Sequence, residues 1–329
     1  MRVLFVHETA KTRTGACVVL SALILSACGS GSTTSSVPRI TTQSKPSNPA
    51  PANRTSDPDI VALTAGNGKL WSLSEHDNKM VVERRNADLG VEKTVPVGRG
   101  AVTVSFGAGA VWVPNEDDGT VTRVDAATGA ARTELTGGKP REIATRGNDV
   151  WLAYSSGRLV RLDPKTGAIA GKPYSLVPYA KYDFLAADPS LVVGPHDLWA
   201  FVVGGISVRI PKHGDSLGKA VKFRSADQMA LAGGSLFLSK QGPRAIVKAV
   251  PETGRTEVLT PGYAQQIAPA RSGIWTTSEN VATLLDPKTL RRQRTAKVGD
   301  IEANVILAAD GPRVWGWNVS DSTLQQIAP

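Results

Sequence analysis

From Ile60 onward the apolar residues come in short runs, alternating with polar ones, and glycine-rich turns separate the runs. Alternation of this kind puts successive side chains on opposite faces of an extended strand, and the three-to-four spacing of an amphipathic helix is missing. The runs also repeat. GNGKLWSL at Trp71, GAGAVWVP at Trp112, GNDVWLAY at Trp151 and GPHDLWAF at Trp199 align with one another. GGSLFLSK at Phe237, RSGIWTTS at Trp275 and GPRVWGWN at Trp315 complete the series, with spacings of 41, 39, 48, 38, 38 and 40 residues. Four strands in each unit, repeated seven times, predict an all-β fold, a seven-bladed β-propeller of four-stranded blades over residues 59–329. The recurring aromatic falls on the second strand, where it is expected to fill the wedge between blades.

The connection from third to fourth strand is the most regular part of the unit. It reads Asp125-Ala-Ala-Thr-Gly129, Asp163-Pro-Lys-Thr-Gly167 and Asp286-Pro-Lys-Thr289. Aspartate caps such a turn through its side chain, and glycine takes the positive φ that re-enters the strand. The last copy has Leu290 in place of glycine, so its turn is expected to differ. The final unit ends at its third strand. A fourth strand must come from upstream of Ile60, from Arg39–Thr42 or Asn53–Ser56, or the last blade has three strands.

The N-terminus has a different pattern. Arg2, Lys11 and Arg13 precede the apolar stretch Ala16–Ala27, which has the length of an export signal and is too short to span a bilayer. The run Leu25-Ser-Ala-Cys28-Gly29 resembles the bacterial lipobox, which implies cleavage before Cys28 and acylation of its thiol. Residues 1–27 are thus expected to be a lipoprotein signal peptide. Residues 28–58, rich in Ser, Thr and Pro, are expected to form a flexible tether, because they have almost nothing apolar to bury. More than one acyl chain gives stable anchoring, so the expected place is the cell envelope. The anchor would sit on the outer face of the bacterial cytoplasmic membrane or in the outer membrane.

Composition agrees with strands and turns, since Gly 32 and Pro 21 are too many for a helical protein of 329 residues. Both cysteines, Cys17 and Cys28, lie at the N-terminus, which excludes a disulfide framework or a cysteine-held metal in the propeller. The formal charge of +9 falls to +7 without residues 1–27. That charge favours anionic surfaces, while no basic run interleaved with aromatics points to nucleic acid. A monomer is expected.

Val111-Trp112-Val113 together with Gly119-Thr-Val-Thr-Arg123-Val-Asp125-Ala-Ala-Thr-Gly129 is similar to the bacterial YVTN and virginiamycin B lyase-like propeller repeats. Glu75-His76-Asp-Asn78-Lys79-Met80 resembles the lyase repeat, which implies Mg²⁺ held by histidines and a glutamate from several blades, and ester opening by elimination. At the matching places the other units have Glu116-Asp117, Ser155-Ser156, Val203-Gly204, Gln241-Gly242, Glu279-Asn280 and Val319-Ser320. One imidazole cannot be both base and metal ligand, so this activity stands second to binding.

In a propeller, the turns between strands two and three share a face with the connections from strand four to the next blade. Four features are expected there. Glu75 and His76 come near Glu116 and Asp117, a set whose oxygens suit Ca²⁺ or Mg²⁺. The enlarged interval before Trp199 contains Tyr174, Tyr179 and Tyr182, amphipathic side chains suited to contact. Glu142, Gln228, Gln266 and Asn304 precede the first strands and converge on the channel mouth. Arg99, Lys139, Arg141 and Arg224 lie in the same connections and could balance the acids or meet an anionic group. With four histidines and no nucleophile motif or phosphate loop, the reading is a lipid-anchored, non-catalytic platform for a peptide, glycan, wall polymer or protein, with no resident cofactor. The alternative is a metal-assisted lyase or hydrolase using His76 and neighbouring carboxylates.

Overall fold

The computed structural model describes residues 53–179, 190–193, 198–202, 206–210, 217–218, 220–222, 228–232, 235–240, 245–250, 253, 255–261 and 264–329. Cys28, the signal segment, residues 28–52 of the tether and Tyr182 lie outside the described residues, as do the side chains of Tyr179 and Gln228.

The first strand, β1 (Arg54–Ser56), stands apart from its chain neighbours. Blade one consists of β2 (Ile60–Gly66), β3 (Lys69–His76), β4 (Lys79–Arg85) and β5 (Val91–Pro96). Blade two has β6 (Ser105–Gly107), β7 (Ala110–Asn115), β8 (Thr120–Asp125) and β9 (Ala131–Leu135). Blade three has β10 (Pro140–Arg146), β11 (Asp149–Tyr154), β12 (Arg158–Leu162) and β13 (Ile169–Ser175). Blade four has β14 (Ser190–Val193), β15 (Leu198–Val202), β16 (Ile206–Ile210) and β17 (Ala220–Lys222). Blade five has β18 (Gln228–Ala232), β19 (Ser235–Lys240), β20 (Ala245–Ala249) and β21 (Thr256–Pro261). Blade six has β22 (Gln266–Ala270), β23 (Gly273–Ser278), β24 (Val281–Leu285) and β25 (Arg292–Lys297). The last blade has β26 (Val305–Asp310), β27 (Arg313–Asn318) and β28 (Thr323–Ala328).

Each blade is an antiparallel sheet, and the last takes β1 as its outer strand, in the order β1-β28-β27-β26. First strands adjoin around the ring, and β26 packs against β2. The chain therefore forms a closed seven-bladed β-propeller. Of the two stretches offered by the sequence for closure, Asn53–Ser56 supplies the strand: Arg54 faces Gln325, Thr55 faces Leu324 and Ser56 faces Thr323. Its side chains contribute little apolar surface, so backbone pairing and the contacts of the residues that follow hold it. Arg54–Ser56 belongs to the propeller although composition alone assigns it to the tether.

The core lies between blades. Trp71 and Leu73 pack with Val104, Val111 and Val113 of blade two, and at the seam Leu70 and Leu89 pack with Trp315, Trp317 and Leu324. All seven aromatics of the repeated slot are buried, as expected of packing residues. A cation stands across from this aromatic in five blades: Arg84 opposite Trp71, Arg123 opposite Trp112, Arg161 opposite Trp151, Arg209 opposite Trp199 and Lys248 opposite Phe237. Arg84 and Arg123 lie 5.9 and 5.7 Å from the centres of their indole rings. Arg84 donates to Ala126 O and Ala127 O, and Arg123 to Pro164 O, all in the third-to-fourth turn of the next blade. One side chain thus covers its own indole and ties adjacent blades together.

Those turns are built as the sequence indicates, with one correction. Asp125, Asp163 and Asp286 each accept hydrogen bonds from the backbone two and three residues on, and from the threonine hydroxyl. Gly129 and Gly167 have φ of 69° and 84°, and Leu290 takes φ of 51° in the same turn, which was expected to differ. The aspartate cap and the Leu290 N to Asp286 O bond fix the backbone, and burial of the leucine side chain offsets the strain.

Candidate functional site

The upper face is formed by the turns between strands two and three and by the connections that lead to each next blade. A residue at or next to the end of the second strand repeatedly anchors the connection beside it. Asn115 accepts from Gly98 N at 3.1 Å, Tyr154 donates to Thr136 O at 3.1 Å, and Ser239 both donates to Ala264 O and accepts from Ala264 N. Asn318 donates to Val298 O and Ile301 O, each at 2.8 Å, and accepts from Ser320 N and Asp321 N. Asp321 accepts from Ile301 N and Asp300 N, and these bonds outweigh burial in holding its carboxyl below the usual range. The result is a rigid platform that presents Ile301 and Val319 to solvent, both exposed. Leu135, at the end of β9, and Val177, just beyond β13, are exposed on the same face.

The residues expected around the channel mouth are less uniform. Glu142, Gln228 and Gln266 occupy matching places, paired with Ala153, Ser239 and Thr277. Gln266 uses its side-chain oxygen to accept from Leu307 N at 3.0 Å, which joins blade six to the last blade. Glu142 is half-buried, and Asn304 is exposed, with its carbonyl accepting from Val319 N. Tyr179 ends a short 3-10 turn, Val177–Tyr179.

The candidate metal set does not come together. Glu116 accepts from Ser155 Oγ at 3.0 Å and faces Arg141, while Glu75 and Asp117 are exposed. His76 is turned the other way. Its Nδ1 lies 2.9 Å from Asp59 and its Nε2 2.8 Å from Glu83, so both ring nitrogens have carboxylate partners. Among the described residues, no group of three or more His, Cys, Asp or Glu has the arrangement of a metal site.

The residues that engage His76 form a clasp at the seam, and the sequence reading did not find them. Glu83, on β4, accepts from Ser74 at 2.9 Å, from Ser72 at 3.1 Å and from Arg85 at 2.7 Å. Arg85 also donates to Ser72, to Leu89 O and to Asp57. Asp57 and Asp59 lie between β1 and β2; Trp317 donates to Asp57 O, and Asp57 N donates to Ser322 O. The hydrogen bond to Glu83 is the main force raising the His76 pKa above 6.5, helped by Asp59 and opposed by burial. Burial pushes Glu83 up, but the bonds from His76 and Ser74 and the charge of Arg85 outweigh it and hold the carboxyl below 4.5. The clasp is an imidazole, its pKa raised, and a guanidinium among three carboxylates. Its chemistry is electrostatic closure of the ring. The legible signal was the alternation Ser72, Ser74, His76 on one strand face opposite Glu83 and Arg85, where an apolar face is the norm.

At the lower end of the same seam a cavity of about 350 Å³ lies among Asn53, Gly68, Lys69, Asn86, Arg313 and Pro329. Asn53 donates to Ala87 O there, so the chain enters the propeller from the lower face.

No protein-family model matches this chain, and no curated protein does either. Solved structures do. BamB from Moraxella catarrhalis is similar at a TM-score of 0.57 and 14% identity, over 84% of this chain and 98% of that one. A chain in the crystal structure of the mitotic checkpoint complex is similar at a TM-score of 0.66 and 13% identity, over 88% of this chain and 95% of that one. These likenesses show the shared fold.

Proposed function

We propose that this chain is a lipid-anchored, extracytoplasmic propeller that acts as a non-catalytic platform for a protein or peptide partner at its upper face. One observation carries the reading. Six large apolar side chains are well exposed among the described residues, and four of them, Leu135, Val177, Ile301 and Val319, are on the upper face. Solvent-facing apolar residues held on a hydrogen-bonded frame are suited to burial against a partner. The tyrosines of the enlarged connection would extend this surface. A chain with the same fold is part of a multiprotein complex, the mitotic checkpoint complex, which supports a protein partner.

The lipobox-like run ending at Cys28 supports the anchor, and the YVTN and lyase-like resemblance supports the propeller repeat. The elimination chemistry of that resemblance finds no support at His76, whose ring nitrogens are both engaged. Purification of the full chain from detergent-solubilised membranes tests the platform. The wild type is expected to retain a protein that the double variant Ile301→Asp, Val319→Asp loses, with unfolding temperature unchanged. Equal recovery from both chains would overturn the proposal.

A further inference from the structure

We infer that the lower outer rim of blade six is a docking surface for an anionic lipid bilayer. β25 is the outermost strand of its sheet. Arg291 and Arg292 are exposed and Arg294 is half-exposed, and no side-chain hydrogen bond or ion pair engages any of the three among the described residues. Lys288 in the adjoining turn, Arg271 in the lower turn of the same blade and Arg255 in that of blade five are exposed too. The nearby acid Asp286 is already committed, since it accepts from Lys288 N, Thr289 N, the Thr289 hydroxyl and Gln293.

On other outer strands Arg54 pairs with Asp300 and Arg132 with Glu134, Lys93 donates to Thr128 O, and Lys172 is a single exposed cation. Among the described outer strands and their turns, a run of three unpaired arginines is confined to blade six. It lies on the outermost strand and the turns beside it, an open edge that suits a flat field of negative charge more than one bound molecule. Each arginine within a Debye length of an anionic leaflet adds to the attraction.

Orientation supplies the second argument, and it rests on the lipid-anchor reading above. Asn53, at the start of the described chain, lies at the lower face, the side that carries these arginines, and the lipid-anchor reading puts the acylated residue upstream of it. Docking there leaves the upper face turned away from the membrane and open to a partner.

Hydrogen–deuterium exchange of the full chain on phosphatidylcholine vesicles, with and without phosphatidylglycerol as a third of the lipid, tests this. Protection is expected over residues 288–297 on the anionic vesicles alone, with residues 298–304 and 319–321 unchanged, and high salt should remove it. Replacing Arg291, Arg292 and Arg294 by serine should reduce the docked population on the order of a hundredfold. Equal protection on neutral vesicles, protection of the upper loops, or none at all while the chain remains vesicle-bound would overturn the inference. Protection by soluble polyglutamate but not by anionic vesicles would assign the rim to an acidic polymer and also overturn it. Failure of the anchor reads separately, as loss of the chain from both kinds of vesicle.

Discussion

At His76, charge ties the segment that follows the closing strand to blade one. The imidazole joins Asp59, from the segment after the closing strand, to Glu83, on the third strand of blade one. Its pKa is raised on folding, so its contribution is complete below 6.5 and is lost as pH rises through the higher folded value. Glu83 is lowered, so its contribution is present above 4.5 and is lost as pH falls through the lower folded value. Thermal unfolding followed against pH should therefore show greatest stability between about 4.5 and 6.5 from this clasp. His76→Gln should flatten the alkaline limb and also weaken the acid limb, because the His76 bond helps to hold Glu83 low. Glu83→Gln leaves Arg85, 2 % exposed, with Asp57 as its one carboxylate, and breaking so buried a pair should cost about 3–5 kcal/mol in denaturant unfolding. The sequence made His76 conspicuous but not its partners: Glu83 meets it only through the register of the β3–β4 hairpin, and Asp59 only once the segment after β1 is in place.

The elements show which local rules tertiary structure can override. Turns with aspartate caps, aromatics on second strands and glycines at positive φ were all legible, since each depends on a few neighbouring residues. Leu290 was misleading for an instructive reason: glycine suits its backbone, yet leucine holds the same φ while its side chain fills the core with Phe237, Ile246 and Leu285. Leu290→Gly relieves a strain of about 1–2 kcal/mol. It also removes a buried side chain, which costs about 2–5 kcal/mol. Denaturant melts should show a net loss of up to about 4 kcal/mol; a gain would mean that the backbone strain outweighs the packing. The exposure of the upper-face residues was not legible: the repeat alignment places Val319 in a second-to-third turn, but not that the turn around Asn318 projects its side chain outward.

For the whole molecule, closure is the requirement on which the rest depends. Seven blades without β1 would leave β28 with an unpaired edge and remove Asp57 and Asp59 from the clasp. Thr55→Pro takes one donor out of the ladder, because proline has no backbone N–H, and should lower stability by about 2–3 kcal/mol. Thermal unfolding should register it as a lower midpoint, and an unchanged midpoint would mean that the ring does not need its fourth outer strand. The repeat count and closed ring could be read from sequence because packing imposes the same residues seven times. A binding surface has no such repetition, so its residues had to be found one by one.

Photo-cross-linking in intact cells gives the most direct test of the upper face as a platform. A cross-linking residue is placed at Val319 above and, in a separate chain, at Val250 below, two valines of similar exposure. Discrete adducts to one protein from Val319, absent from Val250, are the predicted result. Adducts from Val250 alone, or the same adducts from both positions, would contradict it.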